Sequence, residues 1–191
     1  VKEAIFKDKT VIFVTTYFGQ SVKENGNTIH EMTDHVLPAI HLFFQNIVPI
    51  IKARPQALMV IIDNGSAPEL VKYLKTLAGS NILLHLRSDN VGRPRAINEY
   101  IAEHIGPENL PRSVWAVDPD VLFDPISFDY LAEAVPALPK LGVIGMRYKK
   151  NICNPELRTS FHSKNIVGTN GKTYNIDFPF MAKMWPAPSW P

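Results

Sequence analysis

Ala57-Leu58-Met59-Val60-Ile61-Ile62 runs straight into Asp63-Asn64-Gly65-Ser66. Six apolar residues without polar alternation describe a strand covered on both faces, the habit of a central strand in a parallel sheet. The tetrad that ends it is a turn signal, because Asp and Asn bond their own backbone and Gly accepts angles that other residues avoid. The same grammar repeats outward from this strand. Upstream, residues 10–16 (Thr-Val-Ile-Phe-Val-Thr-Thr) form a short β-branched run. Downstream, residues 81–86, 113–117 and 141–145 read as further strands. Helical spacing lies between them. It covers 33–52, with Val36, Leu37, Ile40, Leu42, Phe43, Phe44, Ile47 and Val48 recurring at helical intervals, and then 69–77, 95–105 and 127–135. Thr33 or Asp34 is a candidate cap for the first helix and Ser66 for the second. The polar stretch 19–30 reads as a long loop, of the kind that serves as a lid or stays mobile.

Strands alternating with helices imply an α/β fold: a mostly parallel sheet flanked by helices, with right-handed crossovers. After Arg147 the rhythm stops. Residues 147–175 read as polar and irregular, and 176–184 as a strand or a buried turn. The expectation is one domain over 1–191. The ending Trp185-Pro-Ala-Pro-Ser-Trp-Pro191 reads as an interruption of a longer chain.

The composition excludes several classes. With 191 residues, 46% hydrophobic and 20% charged, the chain can bury a full core and is not a disordered segment. Lys and Arg number 20 against 18 Asp and Glu, a net charge of +2. That balance gives no basis for a nucleic-acid or membrane partner. The single cysteine, Cys153, excludes an internal disulfide and a cysteine zinc cluster, and fits a reducing compartment. No apolar run approaches the ~18 residues of a membrane span. Residues 1–8 lack the apolar stretch of a signal peptide. The expected location is the cytoplasm, as a soluble protein, peripheral to a membrane only through a region not present here.

In parallel α/β sheets, ligands bind beyond the carboxyl ends of the strands. Thr15, Thr16 and Tyr17 follow the first strand. Asp63, Asn64, Gly65 and Ser66 follow the second. Arg87, Asp89, Asn90, Gly92, Arg93 and Arg95 follow the third, and Asp118 and Asp120 the fourth. Asp118-Pro119-Asp120 sets two carboxylates one residue apart, a donor pair suited to Mg²⁺ or Mn²⁺, which take one or two carboxylates plus phosphate oxygens. It also reads as a plain strand-end turn. Asp63 is placed to bond a base edge or a ribose hydroxyl; its segment reads equally as a βα turn with a cap. Gly92 opens backbone approach at a helix N-terminus, and Arg93 and Arg95 are placed to meet a diphosphate, or else are surface arginines. The chain has no G-x-x-x-x-G-K-[ST], no G-x-G-x-x-G after the first strand, no G-x-S-x-G and no H-E-x-x-H.

Thr15-Thr16-Tyr17, Ile61-Ile62-Asp63-Asn64-Gly65-Ser66, Asn90-Val91-Gly92 with Ala96 and Asn98, and Val117-Asp118-Pro119-Asp120-Val121, in this order, resemble the nucleotide-sugar half of GT-A glycosyltransferases, the family-2 group above all. The resemblance covers 10–146 and leaves 147–191 as the start of an acceptor region. It implies a GT-A (Rossmann-like) fold and transfer of a sugar from a nucleoside-diphosphate sugar, UDP-linked by preference, to a glycan or other hydroxyl acceptor, with inversion. It implies that Thr15, Thr16 and Tyr17 line the nucleoside pocket and that Asp63 binds the base. Asn90, Gly92 and Arg95 would shape the loop over ribose and diphosphate. Asp118 would meet ribose or sugar, and Asp120, with Asp118, would hold Mn²⁺ or Mg²⁺. The catalytic base is expected well after the acid pair. Asp177 is the only Asp beyond Glu156 and becomes the candidate, unless the base lies past residue 191. A non-catalytic nucleotide-sugar-binding module and a sugar nucleotidyltransferase are the alternatives. The latter carries a Gly-rich basic loop where this chain reads Thr15-Thr-Tyr-Phe-Gly-Gln-Ser21.

Overall fold

The computed structural model describes residues 5–19, 22–24, 27–29, 36–138 and 161–179. In chain order the elements are β1 (Thr10–Thr16), β2 (Val22–Glu24), β3 (Asn27–Ile29), α1 (Val36–Lys52), β4 (Ala57–Asp63), α2 (Pro68–Leu77), β5 (Ile82–Leu86), α3 (Arg93–His104), a 3₁₀ turn (Pro107–Asn109), β6 (Ser113–Val117), α4 (Pro125–Ala137), β7 (Phe161–Val167) and β8 (Thr173–Pro179). The chain divides into two compact units, Val1–Phe128 and Asp129–Pro191.

The first unit is built on a four-stranded, all-parallel sheet in the order β5-β4-β1-β6. Helices flank it, an α/β arrangement consistent with a Rossmann-like fold. Every residue of β1 and of β4 is buried, including the threonines of β1 and the Asp63 that ends β4. Alternation along the strands sorts their side chains. Val11 and Phe13 of β1, with Leu58, Val60 and Ile62 of β4, form one cluster with Ala96 and Tyr100 of α3. Phe13 and Tyr100 meet edge to face at 5.7 Å between ring centres. Ile12, Val14, Met59 and Ile61 therefore line the opposite face. Truncating a ring such as Phe13 in this core costs about 3–5 kcal/mol.

α1 is apolar nearly all round and buries Ile40, Phe43, Phe44, Ile47, Ile50 and Ile51. It meets α2 through Tyr73, whose ring lies 4.1 Å from His41 and 6.3 Å from Phe44. α4 starts where Asp124 caps it, accepting the Ile126 N–H at 3.0 Å, with Pro125 in the first turn. Phe128 on that helix packs on Trp115 of β6 at 4.8 Å.

In the second unit β7 and β8 pair as an antiparallel hairpin. Buried Tyr174 packs with Ala134, Ala137 and Leu138. Glu133 accepts bonds from Lys172 at 2.6 Å and Asn170 at 3.1 Å. The Lys172 bond holds the Glu133 carboxyl below its ordinary range.

Several expectations change. The 19–30 stretch is not simply a loop, since β2 and β3 pair within it as a short antiparallel hairpin. Residues 147–175 are not irregular throughout. β7 occupies 161–167, and β8 begins at Thr173, ahead of the apolar residues that suggested a strand. α3 starts at Arg93 rather than 95, because the fixed φ of Pro94 suits a first turn. Ser66 does not cap α2. Ala67 holds that position without a side-chain bond, and the Ser66 hydroxyl is used elsewhere. The expected strand at 141–145 and the caps Thr33 and Asp34 lie outside the described residues. No described helix is long and apolar enough to cross a membrane.

Candidate functional site at the carboxyl rim of the sheet

The strand order creates a switch point. From β1 the chain adds β4 and β5 on one side, then returns to place β6 on the other side of β1. The connection after β1 runs toward β4, while β6 lies on the other side of β1, so the ends of β1 and β6 flank the position at which α/β sheets bind ligands. Thr15 to Tyr17 lie at the end of β1 and Asp118 and Asp120 just past β6.

The β4 side of this rim is tightly knit. Thr16 and Asp63 are register partners, and the Thr16 hydroxyl donates to Asp63 Oδ1 at 3.2 Å. Asp63 Oδ2 accepts the Ser66 N–H at 2.9 Å. The carboxylate is only 1% exposed, so these bonds replace the water it has lost. The Ser66 hydroxyl accepts the Phe18 N–H at 2.9 Å, and the Ala67 N–H bonds the Phe18 carbonyl. Asp63 is thus the clamp that shapes the β4 turn, with lone pairs left over for a ligand. Gly65 (φ +79°) closes that turn, and a Cβ there would sit 3.1 Å from the Asp89 backbone.

Asn90 knots the next loop to this one. Its Oδ1 accepts from Asn64 Nδ2 at 3.2 Å and from the Gly92 N–H at 3.0 Å. Gly92 takes φ +80°, an angle that L side chains rarely adopt, and nothing lies within 4 Å of a Cβ built there, so its backbone is open to approach.

The two arginines of α3 differ in a way that sequence could not separate. Arg95 is exposed and bonds Glu99 one turn along its own helix at 2.6 Å. That bond, more than any other influence, holds the Glu99 carboxyl below its ordinary range. Glu99 also takes Arg87 at 2.9 Å. Arg93 instead reaches off α3 to Asp118 beyond β6 and forms an ion pair with it. Both partners are partly solvated, and such pairs contribute about 1 kcal/mol or less.

Asp118 and Asp120 are both exposed. Their loop is anchored at its far end by Asn46 of α1, which donates to the Phe123 carbonyl at 3.0 Å and accepts the Phe123 N–H at 2.7 Å. Asn46 had not been singled out from sequence; its only signal is a polar residue amid the apolar run of α1. Among the described residues no group of three or more His, Cys, Asp or Glu is placed to hold a metal ion. The Asp118–Asp120 pair still suits a hard cation that takes its remaining ligands from a phosphate substrate.

Thr15 is buried and its hydroxyl has no partner. Asn64 Oδ1, also buried, is likewise without one. Two orphaned polar atoms on one rim mark where a ligand or water completes the bonding. Tyr17 is half-buried, its ring against Gly19. Asp63 and the β6 loop lie at one rim but two strand spacings apart, about 10 Å. Asp177 falls in β8, opposite Ser163, in the second unit.

No protein-family model matches the chain, and no curated protein and no solved structure matches it significantly.

Proposed function

We propose that this chain is a metal-dependent glycosyltransferase with a GT-A-type fold, akin to the family-2 group, that moves a sugar from a nucleoside-diphosphate sugar to a hydroxyl acceptor. The observation that carries the reading is the strand order β5-β4-β1-β6. It gathers the four motif segments at one rim and sets Asp118 and Asp120 beside the switch point.

In this reading the roughly 10 Å between Asp63 and the acid pair is a nucleoside's length. The base lies toward Asp63 and the diphosphate toward Asp118 and Asp120, with Thr15 and Tyr17 between. The Thr15 hydroxyl and Asn64 Oδ1 gain partners from the nucleotide. Asp118 and Asp120 would hold Mn²⁺ or Mg²⁺, which would supply Lewis-acid stabilisation of the diphosphate. Inversion follows from one in-line displacement. The acceptor hydroxyl loses its proton to a carboxylate base.

The test is a panel of nucleotide sugars, with and without Mn²⁺, read by thermal shift on the full chain. A cognate donor raises the melting temperature in the presence of the metal, because it binds only the folded state. The Asp118→Ala/Asp120→Ala double variant loses the metal-dependent part of the shift. Metal-independent shifts, unchanged in that variant, remove the acid pair from the site. Product formation from donor and acceptor separates an enzyme from a binding module.

A further inference from the structure

We propose that Arg93 and Asp118 form a latch across a phosphate seat, closed in the free protein and opened by exchange when a diphosphate and a divalent cation arrive together. The inference rests on the nucleotide-sugar reading of the same rim and adds its regulation.

Three observations carry it. First, Arg93 is the arginine of α3 that leaves its own helix, and its partner is Asp118. Second, the β1–β6 register runs from Thr10↔Ser113 to Val14↔Val117. Thr15 and Asp118 are the next residues beyond this paired stretch. Alternation places Thr15 on the face of Val11 and Phe13, the face covered by α3. Third, the Thr15 hydroxyl is about nine-tenths buried and unpartnered. A guanidinium, the first turn of a helix and an orphaned hydroxyl thus share one corner. Each can donate to a phosphate oxygen. In the free protein Asp118 occupies the guanidinium that an anion would use.

Exchange follows from charge. A diphosphate alone competes with Asp118 for Arg93 and leaves a carboxylate without its counter-charge. A cation alone competes with Arg93 for Asp118 and leaves a guanidinium without its anion. Together they satisfy both, so each promotes the binding of the other, as linkage requires. Entry of one charged ligand without the other is resisted.

The test uses the full chain, inorganic pyrophosphate and Mn²⁺, by calorimetry. Without metal, Asp118→Asn frees Arg93 and tightens pyrophosphate binding by up to about 5-fold, the ceiling for a partly solvated pair. Asp120→Asn removes the same charge from the same turn without touching the pair, and is expected to give a smaller gain. In an Arg93→Met or Arg93→Gln background the extra gain of Asp118→Asn disappears, the signature of a coupled pair. Correspondingly, Arg93→Met tightens Mn²⁺ binding without pyrophosphate, whereas Arg95→Met does not. Equal gains from Asp118→Asn and Asp120→Asn, a gain that persists without Arg93, or no pyrophosphate binding by either wild type or Asp118→Asn would each overturn the latch. Failure of every nucleotide sugar to stabilise the chain counts against the glycosyltransferase reading alone, because the pyrophosphate cycle needs no sugar. Melting temperatures of all variants establish that each is folded.

Discussion

Asn46 and Phe123 exchange two hydrogen bonds, side-chain amide to main chain, as neighbouring strands would. The pairing fixes the loop that starts at Asp118 from its far end and ties it to α1, which is itself locked in the core by Phe43, Phe44 and Ile47. Asn46→Ala leaves a main-chain N–H and C=O of Phe123 without partners. The expected loss is about 1–3 kcal/mol in urea unfolding. Mn²⁺ affinity is expected to fall as well, because the acid pair then sits on a looser loop. A variant as stable as wild type and equal in Mn²⁺ binding would show that the pairing does not organise the loop.

Asp63 already accepts two bonds before any ligand arrives, from the Thr16 hydroxyl and from the Ser66 N–H. Asp63→Ala removes a charged acceptor from two buried donors and is expected to cost about 3 kcal/mol. Thr16→Val, which removes a single bond to that carboxylate, costs about 1.5 kcal/mol. Equilibrium denaturation ranks the two. The opposite order would mean that the clamp does not stabilise the turn.

Gly65 and Gly92 share a positive φ but not the same surroundings. Alanine at either meets the left-handed penalty of about 1–2 kcal/mol. At Gly65 the new methyl also presses on the Asp89 backbone at 3.1 Å, which has no flexible end to move aside. Gly65→Ala is therefore expected to melt several degrees below Gly92→Ala; coincident melting curves would contradict this.

His85 faces the His104, Glu103, Arg87 and Tyr100 side chains. Burial first, then the neighbouring His104, pushes its imidazole below the ordinary value. The unfolded chain takes up a proton as pH falls through about 6.5, while the folded chain resists until lower pH. Stability is thus expected to fall as pH drops below about 6.5 and to level off below the folded value. Urea midpoints measured between about pH 5 and 7.5 test this. His85→Gln should shed part of the slope, and an unchanged slope would assign it to other groups.

The strands of the sheet were legible because their sequences permit little else. Unbroken runs such as 57–62 have no polar face to offer water, and each ends in a turn signal. β7 was not legible, since Phe161–Val167 mixes His, Ser, Lys and Asn with apolar residues and belongs to a two-stranded hairpin. The turn between β7 and β8 did carry a signal in Asn170-Gly171, the pair that favours tight hairpins. The rim residues could be named in advance because they follow strands. Their partners could not be named, because hydrogen bonds such as Asn64 to Asn90 join loops separated in the chain.

Sequence by itself determined that this chain is α/β, that β4 is a central strand, and that its polar groups collect where strands end. These follow from local hydrophobic pattern and turn chemistry, which act over a few residues. Only the tertiary structure decided the order β5-β4-β1-β6, the switch point beside β1, and the separate partners of Arg93 and Arg95. The physical reason is range. Two arginines two residues apart are equivalent in composition, but a helix turns by about 200° between them, so one returns to its own helix at Glu99 and the other reaches Asp118.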